Sequence, residues 1–390
     1  MNAQKNCTTR CAEKGATAIL IVIFSLLLFT VVTVGFMRSM VQDQRLSNDS
    51  ELSRGAYDSA LAGVEDGKRV LSRCVQEGDP VACAAIDAQD CTTISDSGIV
   101  NVTSDGETLV QTSSGDGVDY QQAYTCVKVF SDTNDFRGSL TSDGSKIVPL
   151  TAVGEYNRVK ISWYAPVPGQ ASRTVSLPAA PIGTFTPLAS WDGGTNQRPP
   201  VMRAQLMQYN DGDLRLSYFD DAVAGQSNAN TLYLYPTAAG TTTSSFSVDN
   251  RRSGTLTATG VTCVSGINVA PVDSYYCHVT LDLPSAIQSV NNSTRVAYLR
   301  LTSIYNMTDF RVQLYNNLNQ VQFKGVQPRI DSTGRAGDVF RRTEARVELI
   351  DPQADANLFP RATVDLTNNF CKTLIVTDNA VDFAIGSCSP

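Results

Sequence analysis

Ala16–Met37 reads ATAILIVIFSLLLFTVVTVGFM, 22 residues with neither charge nor proline, entered through Lys14-Gly15 and left through Arg38. At about 1.5 Å per residue the run makes roughly 33 Å of helix, enough for the ~30 Å hydrocarbon core of a bilayer. The residues before it carry Lys5, Arg10 and Lys14 against Glu13 alone. That excess of positive charge places the N-terminus in the cytoplasm and everything after Arg38 outside. The competing reading is a secretory signal removed after the apolar run. Such signals have apolar cores of only about 7 to 15 residues and end at a small-residue site. This run is longer and exits through Phe36-Met37-Arg38-Ser39-Met40, so an uncleaved transmembrane segment from Ala16 through Leu20 to Met37 is expected.

Outward from this stretch the helical pattern continues. No proline occurs before Pro80, so one helix can run from the membrane through an amphipathic extension over 38–73. Tyr57, Ala60, Leu61, Val64 and Leu71 recur at three- and four-residue spacing and predict one buried stripe. Around it lie six basic residues (Arg38, Arg45, Arg54, Lys68, Arg69, Arg73) and six acidic ones (Asp43, Asp49, Glu51, Asp58, Glu65, Asp66), a balance that reads as a solvated or inter-subunit face. Gly55, Gly63 and Gly67 each cost about 1 kcal/mol against alanine inside a helix, which predicts bending or fraying of the outer half.

The basic leader ending in Lys14-Gly15, followed by Ala16 and an apolar helix that becomes amphipathic, resembles a type IV prepilin. The stretch from Gln44-Arg45-Leu46 through Ala56-Tyr57-Asp58-Ser59-Ala60-Leu61-Ala62-Gly63-Val64-Glu65 is similar to the PilX-type minor pilins. The resemblance covers about the first 75 of 390 residues. It implies a leader, 1–15, cut after Gly15 by a prepilin peptidase at the bacterial cytoplasmic membrane. It implies too that the helix packs with other pilin subunits and membrane lipid, and that a β head is displayed on an extracellular pilus for assembly or adhesion. Major pilins usually carry glutamate five places after the cut, where this chain has Leu20. In the family that carboxylate neutralises a neighbour's N-terminal ammonium in an apolar setting, where a lone charge is costly. Its absence points to an accessory or tip subunit. Ala16 stands where phenylalanine is commoner, which leaves N-methylation open.

Eight of the ten cysteines follow the apolar run: Cys74, Cys83, Cys91, Cys126, Cys263, Cys277, Cys371 and Cys388. An even count on the outer side predicts disulfides. Cys7 and Cys11 fall in the leader. Locality suggests Cys263 with Cys277 and Cys371 with Cys388, each closing a loop near the ~15-residue size worth about 3 kcal/mol. The last pair also resembles the C-terminal loop of many pilins. Cys74, Cys83, Cys91 and Cys126 then pair among themselves in an order that spacing leaves open.

Beyond the helix the period falls to two, as in Val159–Trp163, Leu214–Tyr218, Phe310–Leu314 and Arg346–Leu349, which predicts half-buried strands. Ser142-Asp143-Gly144, Asp211-Gly212-Asp213 and Ser332-Thr333-Gly334 read as turns between them. The fold class expected is α+β, a long N-terminal helix and a mainly antiparallel β region. Seven of 16 prolines lie between Pro166 and Pro200. This predicts a linker over 166–200 between a disulfide-containing β unit at 74–165 and a C-terminal β domain at 201–390. The passage from Ile330 to Arg342 reads as a turn feeding an edge strand.

The chemistry is sparse. Lys plus Arg number 31 against 38 Asp plus Glu, a net charge of −7, which argues against nucleic acid as a partner. His278 is the single histidine, so the usual triads, imidazole bases and zinc sites have no basis, and no enzyme activity, cofactor or metal is expected. Acidic loops at Asp116–Asp119, Asp211–Asp213 and Asp220-Asp221 read as solvated turns, lacking the full calcium-loop spacing. Tyr233 and Tyr235 read as sheet residues before an adhesive face. Two functions remain: a minor pilin whose head serves assembly or adhesion, or a single-pass membrane-anchored extracellular protein whose head binds an unknown host or surface ligand and never enters a filament.

Overall fold

A computed structural model describes residues 13–100, 106–110, 121–165, 175–178, 191, 198–210, 229–246, 258–265, 274–287 and 295–348. Cys7, Cys11, Cys371 and Cys388, the acidic loops, and the 214–218 run lie outside these residues. In chain order the elements are α1 (Glu13–Ser72), a π-turn (Arg73–Glu77), α2 (Pro80–Ala88) and α3 (Thr93–Asp96). Then come β1 (Thr108–Leu109), β2 (Ala123–Thr133), β3 (Phe136–Leu140), β4 (Ser145–Pro149), β5 (Tyr156–Trp163), β6 (Val201–Asn210), β7 (Ala229–Thr237) and β8 (Thr243–Ser245). They are followed by β9 (Thr259–Thr262), β10 (Cys277–Ile287), β11 (Arg295–Ile304), β12 (Thr308–Asn316), β13 (Asn319–Val321), β14 (Phe323–Ala336) and β15 (Val339–Arg346). A long apolar N-terminal helix therefore precedes a mostly antiparallel β region.

The chain divides into two compact units, and neither is a continuous stretch: Met1–Arg69, Asp90–Lys128 and Asp331–Glu344 form the first, and Val70–Gln89, Val129–Ile330 and Ala345–Pro390 the second. Most of the stretch expected as a linker, 166–200, lies outside the described residues. Strands β3, β4 and β5, from before that stretch, pair with β12, β11 and β10 from after it. Alternation identifies a strand but carries no information about its partner, so linear boundaries fail where pairing is non-local.

In the first unit α1 is unbroken through all three glycines. Its buried positions here are Gly55, Ala56, Ser59, Ala60, Gly63, Val64 and Gly67, while Tyr57 is 49% and Leu61 37% exposed. Of the predicted stripe Ala60, Val64 and Leu71 are buried, and small residues are buried where Tyr57 and Leu61 were expected. The four-stranded sheet β1-β2-β14-β15 contributes the opposing surface. Cys91 is bonded to Cys126. Glu107 takes Arg335 through two hydrogen bonds of 3.1 and 2.5 Å, and Asp331, 4% exposed, pairs with Arg342.

In the second unit two sheets share one core. One runs β13-β12-β5-β10-β8, with β3 also on β12; the other runs β4-β11-β6-β7-β9. Both are antiparallel except at β8 with β10 and β7 with β9. The register stacks Phe310, Trp163 and Cys277, then Val312, Ile161 and Val279, then Leu314, Val159 and Leu281 as inward rows. All nine are fully buried, and each large apolar side chain so placed contributes about 1.5 to 3 kcal/mol. Cys263 and Cys277 are bonded across 14 residues of sequence, joining the end of β9 to the start of β10 and so one sheet to the other. Cys74 and Cys83 are bonded in the short α-helical segment. There Asp79 caps α2 by accepting from the backbone N–H groups of Val81 and Ala82, with Pro80 supplying the preset first turn.

Two strand expectations change. Ser332-Thr333-Gly334 is not a turn but the interior of β14, and the chain reverses at Gly337, whose φ is 55°. β15 ends at Arg346, and Val347 instead donates its N–H to the Pro328 carbonyl. Ser142-Asp143-Gly144 is a turn as read.

Candidate functional site

The feature that most constrains function is α1. Its described apolar residues from Ile19 to Met37 are all exposed, Leu20 at 68% and Phe36 at 74%. The helix is long and apolar enough to cross a membrane, with a mean hydropathy of 2.8 over its most apolar window. Its few hydroxyls are already satisfied. Ser25, Thr30 and Thr33 donate to the carbonyls of Val22, Leu27 and Phe29 at 2.9, 2.8 and 2.8 Å, so no side-chain donor there needs water. Lys14, Gly15 and Ala16 lie within this helix, which begins at Glu13. Exposure continues beyond Arg38: Met40 is 67%, Val41 48% and Leu46 76% exposed.

The outer part of α1 is held by backbone proximity. A Cβ on Gly334 would lie 2.2 Å from both the Ala56 oxygen and the Ala60 nitrogen. One on Gly63 would meet Ser332 Oγ at 2.4 Å and Val127 Cγ2 at 2.9 Å, and one on Gly55 would meet Gln122 Nε2 at 2.6 Å. Ser332, Gly334 and Ala336 alternate along β14 and present one face of small residues to this helix. Helix and strand approach so closely because neither carries a large side chain there. Two long-range polar ties add direction: Arg341 donates to Ser53 Oγ through Nε at 2.9 Å and Nη2 at 2.6 Å, and Tyr124 donates to Asp66 at 2.6 Å, where burial, with that bond, pushes the phenol well above its usual range. A cleft of about 330 Å³ opens beside the same stretch, lined by Glu51, Arg54, Asp58, Gln122 and Ala336 among others. Its charges are mixed and it holds no nucleophile and base pair.

The glycines were legible in the sequence only as helix breakers; their role as contact surface was missed because the partner strand lies about 270 residues away. Tyr235, weighed as a surface aromatic, is 1% exposed and meets Trp191 edge-on at 5.3 Å.

On β10, His278 is half-buried and stands directly across from Ser162 of β5, which stands across from Arg311 of β12. Lys160 occupies the next outward position. Burial first, then the charge of Lys160, holds the imidazole below its usual range. Burial and Arg311 likewise depress the Lys160 ammonium. The unfolded chain therefore takes up the His278 proton at a higher pH than the folded one, so stability falls as pH drops through the unfolded value near 6.5. The melting temperature of His278→Gln should fall less than that of the parent between pH 7 and 5. Equal slopes for the two proteins would show that His278 carries no such linkage.

Among the described residues no group of three or more His, Cys, Asp and Glu is placed to hold a metal ion. No family model, curated protein or solved structure matches this chain.

Proposed function

We propose that the chain is a minor type IV pilin, cut after Gly15 by a prepilin peptidase and assembled through α1, with its β region serving pilus assembly or adhesion. The observation that carries this reading is the length of helix the chain leaves uncovered. From Ala18 to Glu51 α1 is exposed throughout, about 51 Å at ~1.5 Å per residue, against a bilayer core of only ~30 Å. A simple anchor has no use for the excess, whereas a subunit that packs helix against helix buries Met40, Val41 and Leu46 against its neighbours. The unbroken α1 supports it as well, since a rigid rod lets the head follow the packing of its stem. With Leu20 in place of glutamate, an accessory or tip position fits better than the shaft.

The second reading, a single-pass anchored surface protein, keeps the same topology and needs no cleavage. Intact mass and N-terminal sequence of the native protein from membrane and sheared-filament fractions separate the two. The pilin reading expects a chain starting at Ala16 in filaments, its net charge moved from −7 to −9 by loss of Lys5, Arg10, Lys14 and Glu13, before the new amine is counted. It also expects Gly15→Leu to stay full-length and out of filaments. A native chain beginning near Met1 and confined to membrane overturns it.

A further inference from the structure

The outward face of the β12-β5-β10 sheet carries Arg158, Lys160 and Arg311 against Asp282 and Asp309, a net positive face on a chain whose net charge is −7. The register sets Arg137, Arg311, Ser162 and His278 side by side as one row, and Gln313, Lys160 and Thr280 as the next. Strands about 4.8 Å apart and rows about 6.8 Å apart crowd these groups into one small patch. Two of the neighbouring bases are already neutralised, Arg137 by Asp135 at 2.9 Å and Arg158 by Asp282 at 2.6 Å. Lys160 and Arg311 have no carboxylate partner among the described residues. The Arg311 Nε is buried without a hydrogen-bond acceptor, while its guanidinium stacks over the Tyr275 ring at 5.1 Å. Like charges packed across neighbouring strands destabilise a sheet, and burial together with Arg311 depresses the Lys160 ammonium as described above. A fold keeps such a cluster at a cost unless an anion relieves it.

We propose that this face binds an acidic polysaccharide, with Arg311 and Lys160 taking the carboxylates of successive uronic acid residues. The paired Nη groups of a guanidinium are matched to a planar carboxylate, which they take bidentately. The flat sheet suits an extended chain of sugar rings better than a compact ligand. Gln313 and Thr280 supply amide and hydroxyl partners for sugar hydroxyls, and Tyr275 and Tyr315 supply aromatic surface. The site is independent of whether α1 enters a filament or only anchors the chain.

The test uses the full chain in detergent with polygalacturonate oligomers as probe, at low salt and again at 0.3 M salt. Binding is expected, weakening with salt, and uncharged dextran is expected not to bind. Lys160→Gln with Arg311→Gln should weaken binding at least tenfold while leaving thermal unfolding, followed by tryptophan fluorescence, no lower than the parent's, because a mutual repulsion has been removed. Lys324→Glu, a charge reversal at an exposed position of β14, should bind as the parent does. Absence of polygalacturonate binding overturns the proposal, as does equal binding by the double variant. Polyglutamate or single-stranded DNA held as tightly through the same two residues would mean a general anion surface and would overturn the assignment to polysaccharide.

Discussion

Gly334→Ala is expected to strip the outer half of α1 from its sheet. The added methyl would stand 2.2 Å from the Ala56 oxygen and the Ala60 nitrogen and 2.8 Å from the Ser59 carbonyl carbon. All three are helix backbone, which cannot rotate aside as a side chain can. Either the helix lifts or the strand bends, at a cost of about 3 kcal/mol or more, the upper end of the range for an overpacked core. Amide hydrogen exchange over residues 52–69, followed by mass spectrometry on the full chain, reads the effect directly. Protection there should fall at least tenfold. Thr333→Ala, one residue earlier and on the opposite side of the strand, should leave it unchanged. Unaltered protection in Gly334→Ala would mean the close approach does not hold in solution. Gly63→Ala tests the same interface from the helix side. By helix propensity alone it gains about 1 kcal/mol, yet the methyl would strike Ser332 Oγ at 2.4 Å and Val127 Cγ2 at 2.9 Å, so a net loss is expected.

Asp135→Ala should produce the largest loss in the second unit. The carboxylate is nearly buried, with its side chain 8% exposed, and it receives Arg137 Nε at 2.9 Å and Arg346 Nη2 at 2.8 Å. Gln327 completes the knot. Its oxygen accepts from the Arg137 backbone N–H at 2.9 Å, and its amide nitrogen donates to the Arg137 carbonyl at 2.8 Å. Removing this carboxylate takes a charged acceptor from two partly exposed guanidinium groups, 34% and 20% exposed, which costs about 1 to 3 kcal/mol. Asp135→Asn keeps the shape and one acceptor and should cost less. Trp163 and Trp191, the two tryptophans of the chain, are both fully buried in this unit, so a fluorescence melt reports it selectively. A melting temperature within 2 °C of the parent for Asp135→Ala would show that the pair contributes nothing net, as many ion pairs do.

Much of this architecture is written locally. Ala16–Met37 specifies an apolar helix because 22 uncharged residues in a row leave no other way to satisfy the backbone away from water. Pro80 fixes where α2 begins, since Asp79 before it is a strong cap and proline presets the first turn. Alternation at Val159–Trp163 and Phe310–Leu314 marks strands and correctly assigns the inward face of each. Locality placed Cys263 with Cys277. The pairing of Cys74 with Cys83 and of Cys91 with Cys126 was open, because eight cysteines outside the span allow many arrangements that local spacing does not rank.

What failed to be legible was every property that depends on a distant partner. The glycines of α1 look like defects until Ser332, Gly334 and Ala336 lie against them. Ser332-Thr333-Gly334 looks like a turn until that same contact explains why a strand needs small residues there. The cationic face is invisible as well, because Lys160, His278 and Arg311 are separated by more than a hundred residues between first and last and become neighbours only through the register of three strands. Sequence by itself determined the helix, its apolar length, the strands and their inward faces, since these follow from backbone hydrogen bonding and the periods of 3.6 and 2. Tertiary structure alone decided which strands pair, which small residues let helix and sheet touch, and where uncompensated charge gathers, because contacts between residues far apart in the chain obey packing geometry that no local window contains.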